Sequence, residues 1–297
     1  MRDPQQPARA QAQATARRRA PAHEEARTPG WVRRLLGRVR RVPRDGRAAL
    51  RCFDAGSLRR GRRGGVDPRS LVFAAVDLET TGLEPGVDRV CEIGVVLFRA
   101  DGSVLGEYTT LVDPQRPMAA TAIHGIAADQ VVDAPTFAQL APGLERLLAG
   151  TVVVAHNLAF EDAFLAAEFR AAGRPVPRWP GLCTLVTARA QLAGPGFGLA
   201  ALHRSLTATS FTAAHTALGD SRATAELLTA LLRQSPAPLR YRGRRPGRPV
   251  PGPVPAPHLF RPRTHAPDPS ATPNPAPDTP HTWRPRELTP RWGPAPR

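Results

Sequence analysis

The chain has 297 residues with 41 arginines and no lysine, 25 acidic residues, a formal net charge of +16, and 34 prolines and 25 glycines. Such Pro and Gly enrichment leaves much of the length unable to form a core, so length alone overstates the number of domains. No segment approaches the ~20 apolar residues of a membrane span, the N-terminal arginines precede no apolar export-signal core, and Cys52, Cys91 and Cys183 carry no zinc-like or disulfide-framework spacing. These features predict a soluble, unexported, cytoplasmic protein with no membrane partner.

In chain order, residues 1–65 form a basic arm with 18 arginines against 5 acids. Residues 1–30 have almost nothing to bury and are expected to be disordered; residues 31–50 place Trp31, Leu35, Leu36 and Val39 among arginines, the pattern of a short basic amphipathic helix. Residues 66–234 reverse the balance, with 12 arginines against 17 acids, and read as one α/β domain. Leu71 to Leu78, Val90 to Phe98 and Val104 to Val112 are strand-like, the last two joined by the hairpin turn Asp101-Gly102. Phe137 to Leu148 is an amphipathic helix ending before Gly150, Thr151 to Ala155 a buried strand, and Leu158 to Ala172 a helix stopped by Gly173. A short segment near Leu182 precedes helical patterns at 184–192, 199–206 and 215–233. Residues 235–297 hold 19 prolines and 11 arginines against 3 acids, which excludes regular helix and favours extended polyproline, as a partner tether or a spacer. The arms' guanidinium groups can pair with phosphates without reading sequence, but codon bias toward Arg, Ala, Gly and Pro would enrich arginine equally well.

The chemistry concentrates in acids. Asp77 and Glu79, two apart at the end of a strand, project from one face of the sheet, and their repulsion is relieved by a cation such as Mg²⁺ or Mn²⁺, for which all-oxygen ligation is suited. Thr80-Thr81-Gly82 gives the plainer alternative of a solvated acidic turn. His215 and Asp220, five apart near a helix start, would diverge by ~140° and flank one site without stacking. An imidazole with an ordinary pKa of ~6.5 suits a general base near neutral pH.

Val76-Asp77-Leu78-Glu79-Thr80-Thr81-Gly82 resembles the first motif of the DnaQ-like DEDDh exonucleases, the family that includes proofreading epsilon subunits of bacterial DNA polymerase III. His156-Asn157-Leu158-Ala159-Phe160-Glu161-Asp162 is similar to the second motif, His215-Thr216-Ala217-Leu218-Gly219-Asp220 to the third, and Ile123-His124-Gly125-Ile126 to a segment lining the terminal-nucleotide pocket. The second motif departs from the family, which has Asp directly after the Phe, where this chain has Glu161 with Asp162 following. Consecutive helical side chains diverge by ~100°, so one of the two faces the metals; register favours Glu161, and Asp162 substitutes if the helix starts one residue later.

The resemblance, over roughly residues 71–231, implies a ribonuclease-H-like mixed five-stranded sheet flanked by helices. It implies two Mg²⁺ or Mn²⁺ ions hydrolysing phosphodiesters from the 3′ end, with Asp77 bridging, Glu79 and Asp220 completing one site, Glu161 or Asp162 supporting the other, and His215 as base. Leu78 and Phe160 would wedge against the terminal base and sugar, and Thr80, His124 and Asn157 would hold the terminal nucleotide; core packing is the alternative for Leu78 and Phe160. Expected partners are single-stranded or frayed 3′ ends, with DNA favoured, and a polymerase catalytic subunit, in proofreading or repair. RNA trimming and a catalytically weak nucleic-acid-binding scaffold are the alternatives.

Overall fold

In the strand Val72–Thr80 (β2), residues alternate between two faces. Ala74, Val76 and Leu78 enter one core cluster, and Phe73 and Ala75 enter another. Continuing the alternation puts Asp77 and Glu79 on the face of Phe73 and Ala75. The computed structural model describes residues 51–194, 196–207, 215–248, 261–263 and 284–285. The helix expected at 31–50 lies outside the described residues.

β2 is central in a seven-stranded mixed sheet. Val90–Arg99 (β3) pairs antiparallel with β2, and Val104–Leu111 (β4) pairs antiparallel with β3. On the other side Val152–Ala155 (β5) runs parallel to β2, and Trp179–Cys183 (β6) runs parallel to β5. Four of these five strands are the expected ones, and β6 forms on the short segment near Leu182, whose pattern assigns it no element, completing the five that the resemblance implies. Two more extend the edge: Phe53–Arg60 (β1), parallel to β6, and Leu239–Arg242 (β8), antiparallel to β1. Both fall outside residues 66–234, in stretches that arginine or proline content marks as arms. The order is β4-β3-β2-β5-β6-β1-β8.

Between β4 and β5 lie the short helices Thr121–His124 (α1) and Ala128–Val131 (α2), and the longer Phe137–Leu148 (α3). The Gln139 side chain accepts from the Thr136 backbone N–H at 2.8 Å at the start of α3, satisfying one end-of-helix donor. α3 and Leu158–Ala171 (α4) cover one face, where Phe137, Leu140, Leu144, Phe164, Leu165 and Phe169 bury against Ala74, Val76 and Leu78. Thr184–Gln191 (α5) leads through the short strand Leu192–Ala193 (β7) to Leu199–Thr207 (α6); β7 pairs with Arg284–Pro285 (β9).

Ala217–Arg233 (α7) covers the opposite face with Ala225 and Leu228 against Phe73 and Val96. Its first turn rests directly on β3, since a Cβ at Gly94 would lie 2.2 Å from the Ala217 backbone. The Ser221 hydroxyl donates to the Gly94 carbonyl at 3.0 Å. Thr216 starts the helix, its hydroxyl accepting from Gly219 N at 3.0 Å. His215 therefore precedes the helix, at φ 64° in the left-handed region, and the angle expected for two helical residues does not separate it from Asp220. Among the described residues no helix is long and apolar enough to cross a membrane, and the three cysteines are free.

Candidate active site

The strand alternation of β2 and the seating of α7 on β3 bring three carboxylates together. One oxygen from each of Asp77, Glu79 and Asp220 lies within 4.8 Å of the others. Burial raises the pKa of all three, and mutual repulsion adds to it. Asp77 lies well above the usual carboxylate range through burial first, then the charges of Asp220, Glu79 and Glu161. Glu79 is pushed up to about 8 and Asp220 to about 7. Without a cation this group cannot be fully ionised at neutral pH.

The second motif resolves into two different roles. Asp162 points toward β1, and its Oδ1 accepts from Cys52 N at 2.6 Å and Phe53 N at 3.2 Å, tying the start of that strand to α4. Glu161 lies outside the 4.8 Å group but near enough for its charge to raise Asp77; it is 3% exposed, and its Oε2 is buried without a hydrogen-bond partner, with burial pushing it to about 8. A buried carboxylate oxygen with no donor is the atom a cation would satisfy. Thus Asp162→Ala should cost roughly 2–4 kcal/mol of stability by leaving two buried N–H groups unpaired, with turnover of folded protein nearly unchanged. Glu161→Gln should do the opposite, holding stability while lowering turnover about 10²-fold; thermal melts beside a hydrolysis assay read both, and a reversed pattern would reassign the pair.

Of the other predicted residues, His215 contacts the cluster through its backbone, and the rest are held by local contacts of their own. His215 is exposed, with its ring partly withdrawn from water so that its pKa falls below the ordinary value; a hydrogen bond from its backbone helps hold the Asp220 pKa down. Thr80 is buried and donates its hydroxyl to the Gly82 carbonyl at 2.6 Å, closing the turn after β2. His124 is 2% exposed, accepts from Ile126 N through Nδ1 at 3.0 Å and reaches the Ala119 carbonyl with Nε2 at 3.2 Å. Burial lowers it to about 4, so it is neutral and both ring nitrogens serve the loop. Leu78 lies in the core at 5% exposure. Phe160 is half-buried, 4.7 Å from the Phe164 ring, and Asn157 takes φ 83° where β5 turns into α4.

Two charged residues at the site escape the motif reading. Glu92, 2% exposed on β3, is the cross-strand partner of Glu79 and accepts from Ala217 N at 2.9 Å, at the first residue of the helix that carries Asp220. Arg263, from the C-terminal tail, pairs with Glu92. Glu92 leaves a signal, a lone acid in the apolar run Val90-Cys91-Glu92-Ile93-Gly94-Val95; Arg263 leaves none among the tail arginines.

A mixed sheet covered by helices on both faces, with carboxylates from β2, α4 and α7 converging at one end, defines a ribonuclease-H-like nuclease domain. A sequence model of the RNase_T family, described as Exonuclease, matches residues 74–228, more than half of the chain, and the protein belongs to this exonuclease family. The DNA polymerase III subunit epsilon of Treponema pallidum is 34% identical over 168 residues, 54% of this chain and 77% of that protein. A DNA polymerase III subunit epsilon-like protein of Rhodobacter capsulatus is 41% identical over 179 residues, 58% of this chain but 25% of its own length. Among solved structures, the zinc-ion-bound form of an E. coli ExoI–ssDNA complex has the same fold, with a TM-score of 0.50 and 20% identity over 56% of this chain and 42% of that one.

Proposed function

We propose that this protein is a metal-dependent 3′→5′ exonuclease acting on single-stranded or frayed DNA ends by a two-metal mechanism, in proofreading or repair in the cytoplasm. The observation that carries the reading is the half-buried cluster of Asp77, Glu79 and Asp220 within 4.8 Å, flanked by buried Glu161 with its unpartnered Oε2. Asp77, Glu79 and Asp220 would hold one divalent ion, and Asp77 with Glu161 the second. Bound there, Mg²⁺ or Mn²⁺ supplies positive charge against the scissile phosphate and lowers the pKa of water. Oxygen-only donors suit these ions rather than softer ones.

His215 accepts the proton of the attacking water at a ring nitrogen; its lowered pKa keeps the ring neutral and ready as a base at pH 7. His124 and the Thr80 turn shape the loop beside the cluster, Asn157 sets the turn into α4, and Phe160 offers the half-buried ring against which a terminal base can stack, over a floor that includes Leu78. DNA is favoured because two of the relatives that match are named as DNA polymerase III subunit epsilon or epsilon-like, which also supports a polymerase catalytic subunit as partner. Arginines of the arms outside β1, β8 and the Arg263–Glu92 pair would add sequence-independent phosphate contacts.

The test is digestion of matched 5′-labelled DNA and RNA strands with Mg²⁺ or Mn²⁺. DNA should shorten from its 3′ end, and His215→Ala should reduce the rate by about 10²–10⁴-fold, the usual contribution of a general base. Faster shortening of RNA would move the protein to RNA trimming. Tight retention of strands without shortening would make it a binding module.

A further inference from the structure

The tail does more than leave the domain. At residues 261–263 it lies along the β4 edge, where Leu111 N donates to the Arg261 carbonyl at 2.7 Å and Arg261 N donates to Thr110 Oγ1 at 3.1 Å. This docking turns Arg263 inward. Its side chain is 9% exposed, with Nε donating to Glu92 Oε1 at 2.9 Å and Nη2 to Oε2 at 2.8 Å, while Nη1 donates to the His124 carbonyl. A bidentate guanidinium–carboxylate pair this buried is strong in geometry, and removing one partner leaves an uncompensated charge.

That charge would sit beside the metal cluster. Glu92 faces Glu79 across the strands and holds the first N–H of the helix bearing Asp220. Counting Glu92, the site gathers Asp77, Glu79, Glu161 and Asp220 into five carboxylates. Two divalent ions balance four of them, and Arg263 balances the fifth. We infer that the C-terminal tail is a cis-acting part of the metal centre, in which docked Arg263 is a positioning residue that compensates Glu92 and thereby sets the affinity of the carboxylate cluster for divalent cations. Locked between Arg263 and Ala217 N, Glu92 is also kept from turning in as an extra ligand. Tail docking and metal loading are then coupled, so any partner that lifts residues 261–263 from β4 would raise the cation affinity of the site.

This inference rests on the metal-site part of the proposed function, and Mn²⁺ binding to the metal-free full-length chain, followed by electron paramagnetic resonance of free Mn²⁺ without substrate, tests both. Arg263→Ala should bind Mn²⁺ at least about tenfold more tightly, because a buried negative charge is unmasked near the ions. Glu92→Gln should bind about tenfold more weakly, because Arg263 is left unbalanced. The double variant, with neither charge, should return to within about threefold of wild type. A merely structural role for the pair would weaken binding in both single variants, and the opposite signs separate the cases. If Arg263→Ala fails to fold, Glu92→Gln and the double variant still decide: unchanged affinity in the first, or no recovery in the second, overturns the proposal. Wild-type protein that takes up Mn²⁺ while both single variants stay within twofold of it overturns this coupling and leaves the nuclease reading intact. Wild-type protein that takes up no Mn²⁺ overturns both.

Discussion

Asp77→Asn is expected to abolish hydrolysis, by about 10³-fold or more, while raising the melting temperature of the metal-free protein. The two effects share one cause. Asp77 is the carboxylate on which its neighbours converge: the charges of Asp220, Glu79, Glu161 and Glu92 all press on it. In the proposed two-ion site Asp77 would be a ligand common to both ions, and its loss would remove several kcal/mol of charge stabilisation, each 1.36 kcal/mol being about tenfold in rate. In the absence of metal, asparagine has nearly the same shape without the charge, so folding no longer has to bury an ion among like charges. Rates from single-turnover digestion and melting curves in EDTA would be read together. A variant that loses activity and stability together would show that Asp77 is held by structural contacts and not strained for function.

The strength of the local apolar period decides which parts of this molecule are legible in its sequence. Elements with a strong apolar period are found where the pattern puts them: α3 at Phe137–Leu148 matches its expected span, and β2, β3, β4 and α4 agree within a residue or two. β1 and β8 were hidden for different reasons. In Phe53–Arg60 only Phe53 and Leu58 are buried apolar residues, at a spacing that matches no simple strand alternation, because the strand lies near the sheet edge with arginines facing water. Leu239–Arg242 does alternate, with Leu239 and Tyr241 buried, but four residues inside a Pro- and Arg-rich stretch carry too little pattern to stand out.

The site divides along the same line. Asp77 and Glu79 share a face through strand geometry alone, whereas the choice between Glu161 and Asp162 depended on where β1 lies, because the Cys52 and Phe53 N–H groups claim Asp162. No local pattern could report a contact over 110 residues in sequence. Arg263 is the extreme case, one arginine among many in the tail, distinguished only by the edge of β4 that its neighbours dock upon.

Metal-free protein should lose stability as pH rises from about 6.5 to about 8, and divalent ions should reverse that trend. The sign follows from the protons each state binds. Glu79 and Glu161 are raised to about 8 and Asp220 to about 7 in the folded chain, whereas in the unfolded chain carboxylates titrate near ~4. Between the unfolded and folded values these carboxylates bind more protons in the folded chain, which lowers the free energy of unfolding as pH rises. His124 and His156, held at about 4 by burial but titrating at ~6.5 when unfolded, oppose them below about pH 6.5, so the net fall is concentrated above it. The stabilisation is full below about pH 4 and is lost as the pH passes through the folded values. Asp54 and Glu107, held low by Arg178 and Arg222, act in the opposite sense, but only in the more acidic range where they protonate. A tenfold difference in proton affinity between folded and unfolded chain is worth ~1.4 kcal/mol, so even with the carboxylates sharing protons the loss should reach several kcal/mol. Mg²⁺ or Mn²⁺ displaces those protons, and its stabilisation should grow with pH as proton competition fades. Calorimetric melts in EDTA and in Mn²⁺ at pH 5, 6.5 and 8 would measure it. A metal-free melting temperature that climbs over this interval would mean that the four carboxylates are already ionised and paired within the protein, leaving no reason for cations to gather there.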